Sequence, residues 1–294
     1  MKKLVAGLLT AVALLAMSAC GADQKNTAQT SSSTKESAEV SSGASEQVYT
    51  DPKEMKESYD VVIIGAGGAG MAAAIEAKDA GLNPVILEKM PVAGGNTSKS
   101  SSGMNASETK FQKEEGIKDS NDAFYEETLK GGGGTNDKEM LRYFVDHSAD
   151  AVDWLDQNGI KLDNLTITGG MSEKRTHRPS DGSAIGGYLV EGLLNNVHER
   201  EIPIFVNADV TDIKKNGETV NEVTVHVQGE EPKEVTGKAI VVTTGGFGAS
   251  KEFIEKYRPD LADYITTNQE GSTGDGITMI EKLGGQTVDM DKIQ

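Results

Sequence analysis

Asp-Val-Val-Ile-Ile-Gly-Ala-Gly-Gly-Ala-Gly, residues 60–70, is the most informative segment of the chain. Its first half is a β-branched run of the kind that forms a strand buried on both faces of a parallel sheet. The Ala-rich stretch 71–80 then predicts a helix that ends at Gly81. Residues 84–88 supply a second apolar strand, so the sequence predicts a βαβ unit and an α/β fold.

The second half of that segment matches the pattern GxGxxG through Gly65, Gly67 and Gly70. Gly65 permits a tight turn, Gly67 lets backbone approach a pyrophosphate, and Gly70 allows close packing of helix and strand. The helix N-terminus adds unpaired N–H groups and a positive dipole end. Glu88, at the end of the second strand, is placed to accept hydrogen bonds from ribose hydroxyls. We therefore predict a dinucleotide site rather than a structural glycine-rich turn, with NAD and FAD equally compatible.

The composition excludes several other classes of protein. The chain has 294 residues, with 29 Lys and Arg against 46 Asp and Glu, which gives a formal net charge of −17. No basic stripe interrupts this acidity, which argues against nucleic acid as a partner and against electrostatic docking on anionic lipid. The single cysteine excludes a disulfide framework and any zinc site with several thiolates. Because the 4 histidines are scattered, we predict no metal site.

Residues 1–19 are typical of an export signal. A positively charged start precedes the uncharged, mostly apolar run 4–17, which is too short to cross a bilayer comfortably as a permanent helix. Two small residues then lead directly into Cys20, an order that resembles the lipobox of bacterial lipoproteins. This resemblance implies acylation of Cys20 and an extracytoplasmic protein anchored in the cell membrane. The alternative is a plain secretory signal in which Cys20 is incidental.

Residues 20–57 are predicted to be a disordered linker. Ser, Thr and other small or polar residues dominate this region as far as Thr50, and such a composition cannot bury enough apolar surface to offset the entropy of ordering. The linker would tether a catalytic body away from the membrane, or it would serve only as a spacer. The folded body is expected over residues 58–294.

Apolar periodicity predicts two long helices in this body. The first spans 136–158 and is followed by Gly159. Its apolar stripe, which we interpret as core, consists of Leu141, Phe144, Val145, Val152 and Leu155. The second helix spans 186–200 and leads into a strand at 204–206.

The last part of the body has the pattern of strands. Asn216-Gly217 predicts a hairpin turn, and the alternating valines of 223–227 predict a half-exposed strand. Residues 239–243 return to the parallel sheet. Gly245 follows at the carboxyl end of that strand, where ligands of open α/β sheets bind.

Two further segments carry a resemblance to a known family. Residues 94–97 (Gly-Gly-Asn-Thr) form a second glycine loop, and residues 98–105 (Ser-Lys-Ser-Ser-Ser-Gly-Met-Asn) add small hydroxyl side chains. Together they resemble the signature of the FAD-dependent fumarate reductase family, the flavoproteins of the soluble fumarate and urocanate reductase type. Other matching stretches occur in the right order within 58–294, and these are 146–154, 175–179, 243–247, 257–259 and 267–276.

This resemblance implies a Rossmann-like FAD-binding fold, with a parallel sheet and an antiparallel hairpin insert. The implied FAD contacts are Gly65, Gly67, Gly68, Ala69, Gly70, Glu88, Lys89, Gly95, Asn96, Thr97, Ser101, Ser102, Gly103, Val210, Gly245 and Asp275. Within this set, the family places the pyrophosphate at Ala69 and the surrounding glycines, and the adenine at Val210. It places the flavin half along Asn96, Thr97, Ser101 and Ser102. The position of Ser102 also touches the substrate in relatives.

The implied reaction is hydride transfer from reduced flavin to the C=C bond of an unsaturated carboxylate, such as fumarate or urocanate. Electrons would come from an extracytoplasmic or membrane carrier that the residues do not identify. In the family, the substrate clamps and the proton-donating arginine lie in a capping domain and a returning C-terminal segment. Because no counterpart occurs before Gln294, we expect an FAD domain without its capping domain and with no catalytic residue in this chain. The alternatives are an NAD-linked dehydrogenase and a non-catalytic FAD-binding lipoprotein.

Arg175, His177 and Arg178 form a cationic cluster in this acidic chain. A protein with such an excess of negative charge repels a carboxylate substrate at long range, so local cations near the flavin would help to bind one. The other interpretation is that the two arginines anchor a loop.

Overall fold

The computed structural model describes residues 48–293, so the predicted signal peptide, Cys20 and most of the predicted linker lie outside the described residues. Its strands are β1 (Ser58–Ile64), β2 (Pro84–Leu87), β3 (Met104–Asn105), β4 (Asn164–Thr166), β5 (Thr176–Arg178), β6 (Ile204–Phe205), β7 (Ala208–Asn216), β8 (Thr219–Val227) and β9 (Lys233–Val242). Its α-helices are α1 (Gly68–Asp79), α2 (Lys110–Glu114), α3 (Asn121–Gly131), α4 (Lys138–Asp146), α5 (Ser148–Gln157), α6 (Ile185–Glu199), α7 (Lys251–Tyr257) and α8 (Asp275–Lys282). Within the described residues, none of these helices is long and apolar enough to cross a membrane.

The main sheet has six strands in the order β6-β2-β1-β9-β8-β7. Strands β6, β2, β1 and β9 are parallel, whereas β9, β8 and β7 form an antiparallel meander. Strand β9 belongs to both parts, because residues 233–236 pair with β8 and residues 236–242 pair with β1. This arrangement confirms the predicted α/β fold with a parallel sheet and an antiparallel hairpin.

Strand β1 lies at the centre of the hydrophobic core, and its side chains alternate between two apolar clusters. On one face, Ile63 packs in a cluster with Ile75 of α1 and Leu193 of α6. On the other face, Val62 packs in a cluster that includes Met279 of α8. Full burial of an aliphatic side chain contributes about 1.5–3 kcal/mol, so these contacts hold the carboxyl end of β1 firmly in place.

The structure corrects the helix predicted over 136–158, which divides into α4 and α5. The break is at His147, whose φ of −102° and ψ of 5° lie outside helical geometry. Beside it, the buried hydroxyl of Ser148 donates a hydrogen bond to the carbonyl oxygen of Val145 at 2.9 Å. A local side-chain bond of this kind competes with the regular helical pattern.

One predicted core residue of this segment is wrong. Leu141 and Val145 are buried as predicted, but Phe144 is 50% exposed. Phe144 lies on the outer flank of the stripe of α4, where its ring makes an edge-type contact with the buried ring of Phe124 at a centroid distance of 6.1 Å.

Residues 48–57 correct the predicted start of the folded body. The backbone N–H of Thr50 donates to the carbonyl oxygen of Ile204 at 2.9 Å, beside the outer parallel strand. Met55 is buried in the same apolar cluster as β8 and α8. Thr50 and Met55 lie at the end of a polar region, and the overall composition of that region indicated a linker. The body therefore begins before Ser58.

The cationic cluster lies in a small second sheet with the order β3-β5-β4. Arg175 is fully buried, and it donates to both carboxylate oxygens of Asp119, at 2.7 and 2.6 Å, and to Glu127. Burial lowers the pKa of Arg175, but the two carboxylates outweigh this effect and raise its pKa above the usual value. Arg178 donates to the carbonyl oxygen of Ser183 at 3.2 Å. Of the two interpretations, the structure supports the anchoring of loops by Arg175.

His177 is buried in β5 as a neutral ring. Its Nδ1 lies 2.7 Å from the carbonyl oxygen of Arg175, which can only accept, so the ring proton is on Nδ1. Its Nε2 then accepts a hydrogen bond from the hydroxyl of Thr109 at 2.8 Å. Burial lowers the pKa of His177 below its usual value, and the Arg175 carbonyl opposes that effect only in part. Protonation would therefore destabilise this sheet.

Replacement of Arg175 by alanine should lower the free energy of unfolding by about 3 kcal/mol or more, because it leaves the buried Asp119 carboxylate without its partner. The control Arg178→Ala removes one hydrogen bond at the surface and should cost about 1 kcal/mol or less. Urea denaturation of both variants measures the difference. Equal losses of stability would show that Arg175 is not an anchor.

The buried His177 should make the protein less stable in mild acid. Since the unfolded histidine takes up a proton near pH 6.5 and the folded one only at lower pH, the free energy of unfolding should fall as the pH drops below about 6.5. In His177→Gln this part of the pH dependence should be lost, whereas His226→Gln, on the exposed side of β8, should retain it. Urea denaturation between pH 7.5 and pH 5.5 tests this, and an unchanged slope in His177→Gln would contradict it.

Candidate functional site

Gly65 and Gly70 bring three backbone segments together after β1. Gly65 has a φ of 106°, and a Cβ atom there would lie 2.6 Å from the carbonyl oxygen of Thr243, which follows β9. A Cβ atom on Gly70 would lie 1.9 Å from the carbonyl oxygen of Gly65. Neither position has room for a side chain. The turn therefore holds α1 directly against the carboxyl ends of β1 and β9.

The N-terminus of α1 opens onto a groove at this edge of the sheet. The helix begins at Gly68, and Gly67, Gly68 and Ala69 all line the groove. The first N–H groups of a helix have no partner within it, and that of Gly68 donates to the hydroxyl of Thr97 at 3.0 Å. Backbone amides and the helix dipole together favour an anion at this position. The geometry suits the pyrophosphate of a dinucleotide.

The carboxylate of Glu88 is held rigidly beside this helix end. It is 7% exposed. Oε2 accepts a hydrogen bond from the N–H of Ala66 at 2.7 Å, and Oε1 accepts one from the N–H of Met90 at 2.8 Å. Each carboxylate oxygen can accept a second hydrogen bond, and Glu88 lines the groove. The predicted ribose-binding acid is therefore fixed in orientation and still has acceptor capacity.

Lys89 and Asp275, two predicted cofactor contacts, form an ion pair at 2.5 Å. Lys89 also donates to the hydroxyl of Thr273 at 2.7 Å. Asp275 is the first residue of α8, where the helix dipole favours a negative charge. The pair joins the end of β2 to α8 next to Val210, which lines the same part of the surface.

These elements line one groove at the carboxyl edge of the sheet. Most of the predicted cofactor residues line it, and these are Gly65, Gly67, Gly68, Ala69, Glu88, Lys89, Gly95, Asn96, Thr97, Val210, Gly245 and Asp275. The groove offers a partner for each part of a nucleotide. The helix end suits the phosphate, the carboxylate of Glu88 suits the ribose hydroxyls, and the apolar side chain of Val210 suits the base. The residues present therefore fit an extended dinucleotide.

Other predicted residues lie elsewhere. Ser101 and Ser102 are exposed, and the carbonyl oxygen of Ser102 accepts a hydrogen bond from Ile185 at the start of α6, at 3.2 Å. A Cβ atom on Gly103 would lie 2.3 Å from the carbonyl oxygen of His177, so this glycine permits close packing against β5. These three residues do not line the groove, and their cofactor and substrate contacts stay predictions. Gly70 also acts in packing.

The sequence interpretation missed several residues of the groove, namely Ala208, Asp209, Thr243, Thr244, Gln269, Gly271, Ser272 and Met279. Thr243 has the clearest role, because its hydroxyl donates to the carbonyl oxygens of Ile64 and Gly65 at 2.9 and 3.1 Å. A signal for this residue was present in the sequence. It is the polar last residue of the predicted parallel strand 239–243, and the carboxyl ends of such strands lie at the ligand-binding edge of a sheet.

Comparison with known proteins identifies the cofactor. The family described as FAD binding domain matches residues 60–294. The chain is 51% identical over 238 residues to NADH:fumarate oxidoreductase of Klebsiella pneumoniae, and the match covers 81% of this chain and 26% of that protein. It is 34% identical over 251 residues to urocanate reductase of Eggerthella lenta, with 83% of this chain and 41% of that protein covered.

A solved structure agrees with these matches. The open conformation of a flavocytochrome c3 fumarate reductase superposes with a TM-score of 0.79 at 35% identity, covering 82% of this chain and 43% of that chain. This chain thus spans less than half the length of the three relatives. The groove, the family match and the relatives together indicate FAD rather than NAD. The chain belongs to the FAD binding domain family, among the fumarate reductase-like FAD oxidoreductases.

Proposed function

We propose that this chain is the FAD-binding part of an oxidoreductase that reduces the C=C bond of an unsaturated carboxylate, such as fumarate or urocanate. The observation that carries the proposal is the groove, in which Glu88, the N-terminus of α1 and the loop at Asn96 and Thr97 meet. The names of the relatives support the reaction class, because two of them refer to fumarate and one to urocanate.

When bound, FAD supplies the hydride chemistry that side chains lack. The residues of this chain would bind FAD and orient it. The N–H groups of Gly67 and Ala69 would bind the pyrophosphate, Glu88 would accept hydrogen bonds from a ribose, and Val210 would contact the adenine. The buried turn after β1 fixes these groups to the sheet, so little reorganisation accompanies binding.

Substrate binding and proton transfer need other groups. We propose that Ser102, which is exposed, touches the substrate. We assign no proton donor among residues 48–293, where Arg175 is already paired with Asp119 and Glu127. The carboxylate clamps and the proton donor are therefore proposed to lie in the part of the relatives that this chain does not span.

We also propose that a lipid on Cys20 anchors the protein at the outer face of the cell membrane. The support is the sequence around Cys20 and the net charge of −17, which would prevent binding to anionic lipid by electrostatics alone. With this location, the electron donor would be an extracytoplasmic or membrane carrier.

Substitution of Glu88 by glutamine should weaken FAD binding about tenfold or more, because an amide NH₂ would face the N–H of Ala66 or Met90 and one hydrogen bond would be lost. Titration of the cofactor-free chain with FAD, followed by flavin fluorescence, gives the dissociation constants. The control Glu139→Gln, on the exposed face of α4, should bind FAD like the wild type. Unchanged affinity in Glu88→Gln would argue against the assigned role of this carboxylate.

The proposed reaction can be tested by joining this chain at Gln294 to the corresponding C-terminal part of the Klebsiella relative. We expect the FAD-loaded chimera to reoxidise reduced viologen when fumarate, urocanate or acrylate is added, but not when the saturated acid succinate is added. The chain alone should load FAD and show no turnover. A chimera that holds FAD and reduces none of these acids would favour the non-catalytic alternative.

A further inference from the structure

Residues 268–275 form a loop, here called the strap, that covers one side of the FAD groove. Four of its residues, Gln269, Gly271, Ser272 and Asp275, line the groove. The strap follows an exposed segment in which the side chain of Ile265 is 96% exposed, and it leads into α8. Its position over the groove therefore depends on contacts with other parts of the protein.

The side chain of Asn96 provides a large share of these contacts. Its Nδ2 donates to Oδ1 of Asn268 at 2.6 Å and to the hydroxyl of Ser272 at 3.1 Å. Its Oδ1 accepts a hydrogen bond from the backbone N–H of Gln269 at 2.7 Å. Both hydrogens of the amide group and one lone pair of its oxygen are thus used by the strap.

The strap has further attachments, one of which is a hydrogen bond from the N–H of Gly274 to the carbonyl oxygen of Gly246 at 3.2 Å. At its end, Lys89 holds Asp275 and Thr273, as described above. On its other side, the carbonyl oxygen of Ser272 accepts a hydrogen bond from the N–H of Ala249 at 2.9 Å. Asn96 and Lys89 both belong to the connection that follows β2, so this connection holds the strap from the groove side at two points.

We infer that Asn96 is a positioning residue, which holds the strap over the bound FAD and thereby slows the release of the cofactor. The inference rests on the assignment of FAD to this groove. The family resemblance places Asn96 along the flavin as a direct contact. In this structure both amide hydrogens are engaged by the strap, so Asn96 acts on FAD through the loop that it holds.

Hydrogen exchange tests the first half of this inference without any cofactor. In the FAD-free chain, Asn96→Ala should speed amide exchange in the segment that contains Gln269, because Oδ1 of Asn96 is the acceptor for that N–H. The control Asn216→Ala, in the exposed β7–β8 hairpin, should leave this segment unchanged. If exchange at Gln269 is the same in Asn96→Ala and in the wild type, the inference is wrong, whatever the reaction of the enzyme.

The rate of FAD release tests the second half. Asn96→Ala should release FAD about tenfold faster than the wild type. Asn268→Ala should also release it faster, although Asn268 does not line the groove. Both substitutions break the same hydrogen bond. The rate of FAD release from the double variant should therefore be lower than the rate obtained by multiplying the two single-variant effects. Fully multiplicative effects, or an Asn268→Ala variant that releases FAD at the wild-type rate, would show that Asn96 acts as a direct contact instead.

Discussion

The structure depends on the contact between backbone segments at the carboxyl end of β1. Gly65 lies against the carbonyl of Thr243, and Gly70 lies so close to Gly65 that a Cβ atom would be 1.9 Å from its oxygen. This contact places the first turn of α1 at the junction of β1 and β9, where its residues line the groove. The helix end, the acid at the end of β2 and the residues after β9 can therefore reach one ligand.

A chain with a net charge of −17 has to bind a cofactor that carries two phosphates. Long-range repulsion is screened over about 8 Å at physiological ionic strength, so contacts inside the groove decide the outcome. There, Glu88 is bound by the N–H groups of Ala66 and Met90, and Asp275 is paired with Lys89. The charge of Asp275 is thus balanced by Lys89, and the N–H groups and dipole of α1 favour the pyrophosphate at the helix end.

The success of the sequence interpretation depended on how far apart the interacting residues lie. The βαβ unit and Glu88 could be predicted because strand, glycine turn, helix and acid follow each other within residues 60–88. The place of Thr243 at the sheet edge had a signal in the predicted strand, but its hydrogen bond to the carbonyl oxygen of Gly65 could not be predicted, since the two residues are 178 positions apart. The helix break at His147 was missed for a similar reason, because it accompanies the burial of Ser148 against the N–H of Ser107.

The two sides of the groove are held by different kinds of interaction, and this difference has a consequence for cofactor exchange. On the α1 side, backbone atoms are in contact, and no rotamer change can separate them. On the strap side, the side chains of Asn96 and Lys89 form hydrogen bonds that each contribute only about 0.5–3 kcal/mol. The α1 wall is therefore held by close backbone packing, whereas the strap is held by hydrogen bonds, among them the backbone bond from Ala249 to Ser272. This difference agrees with the inference that contacts of the strap, rather than those on the α1 side, set the rate of FAD release.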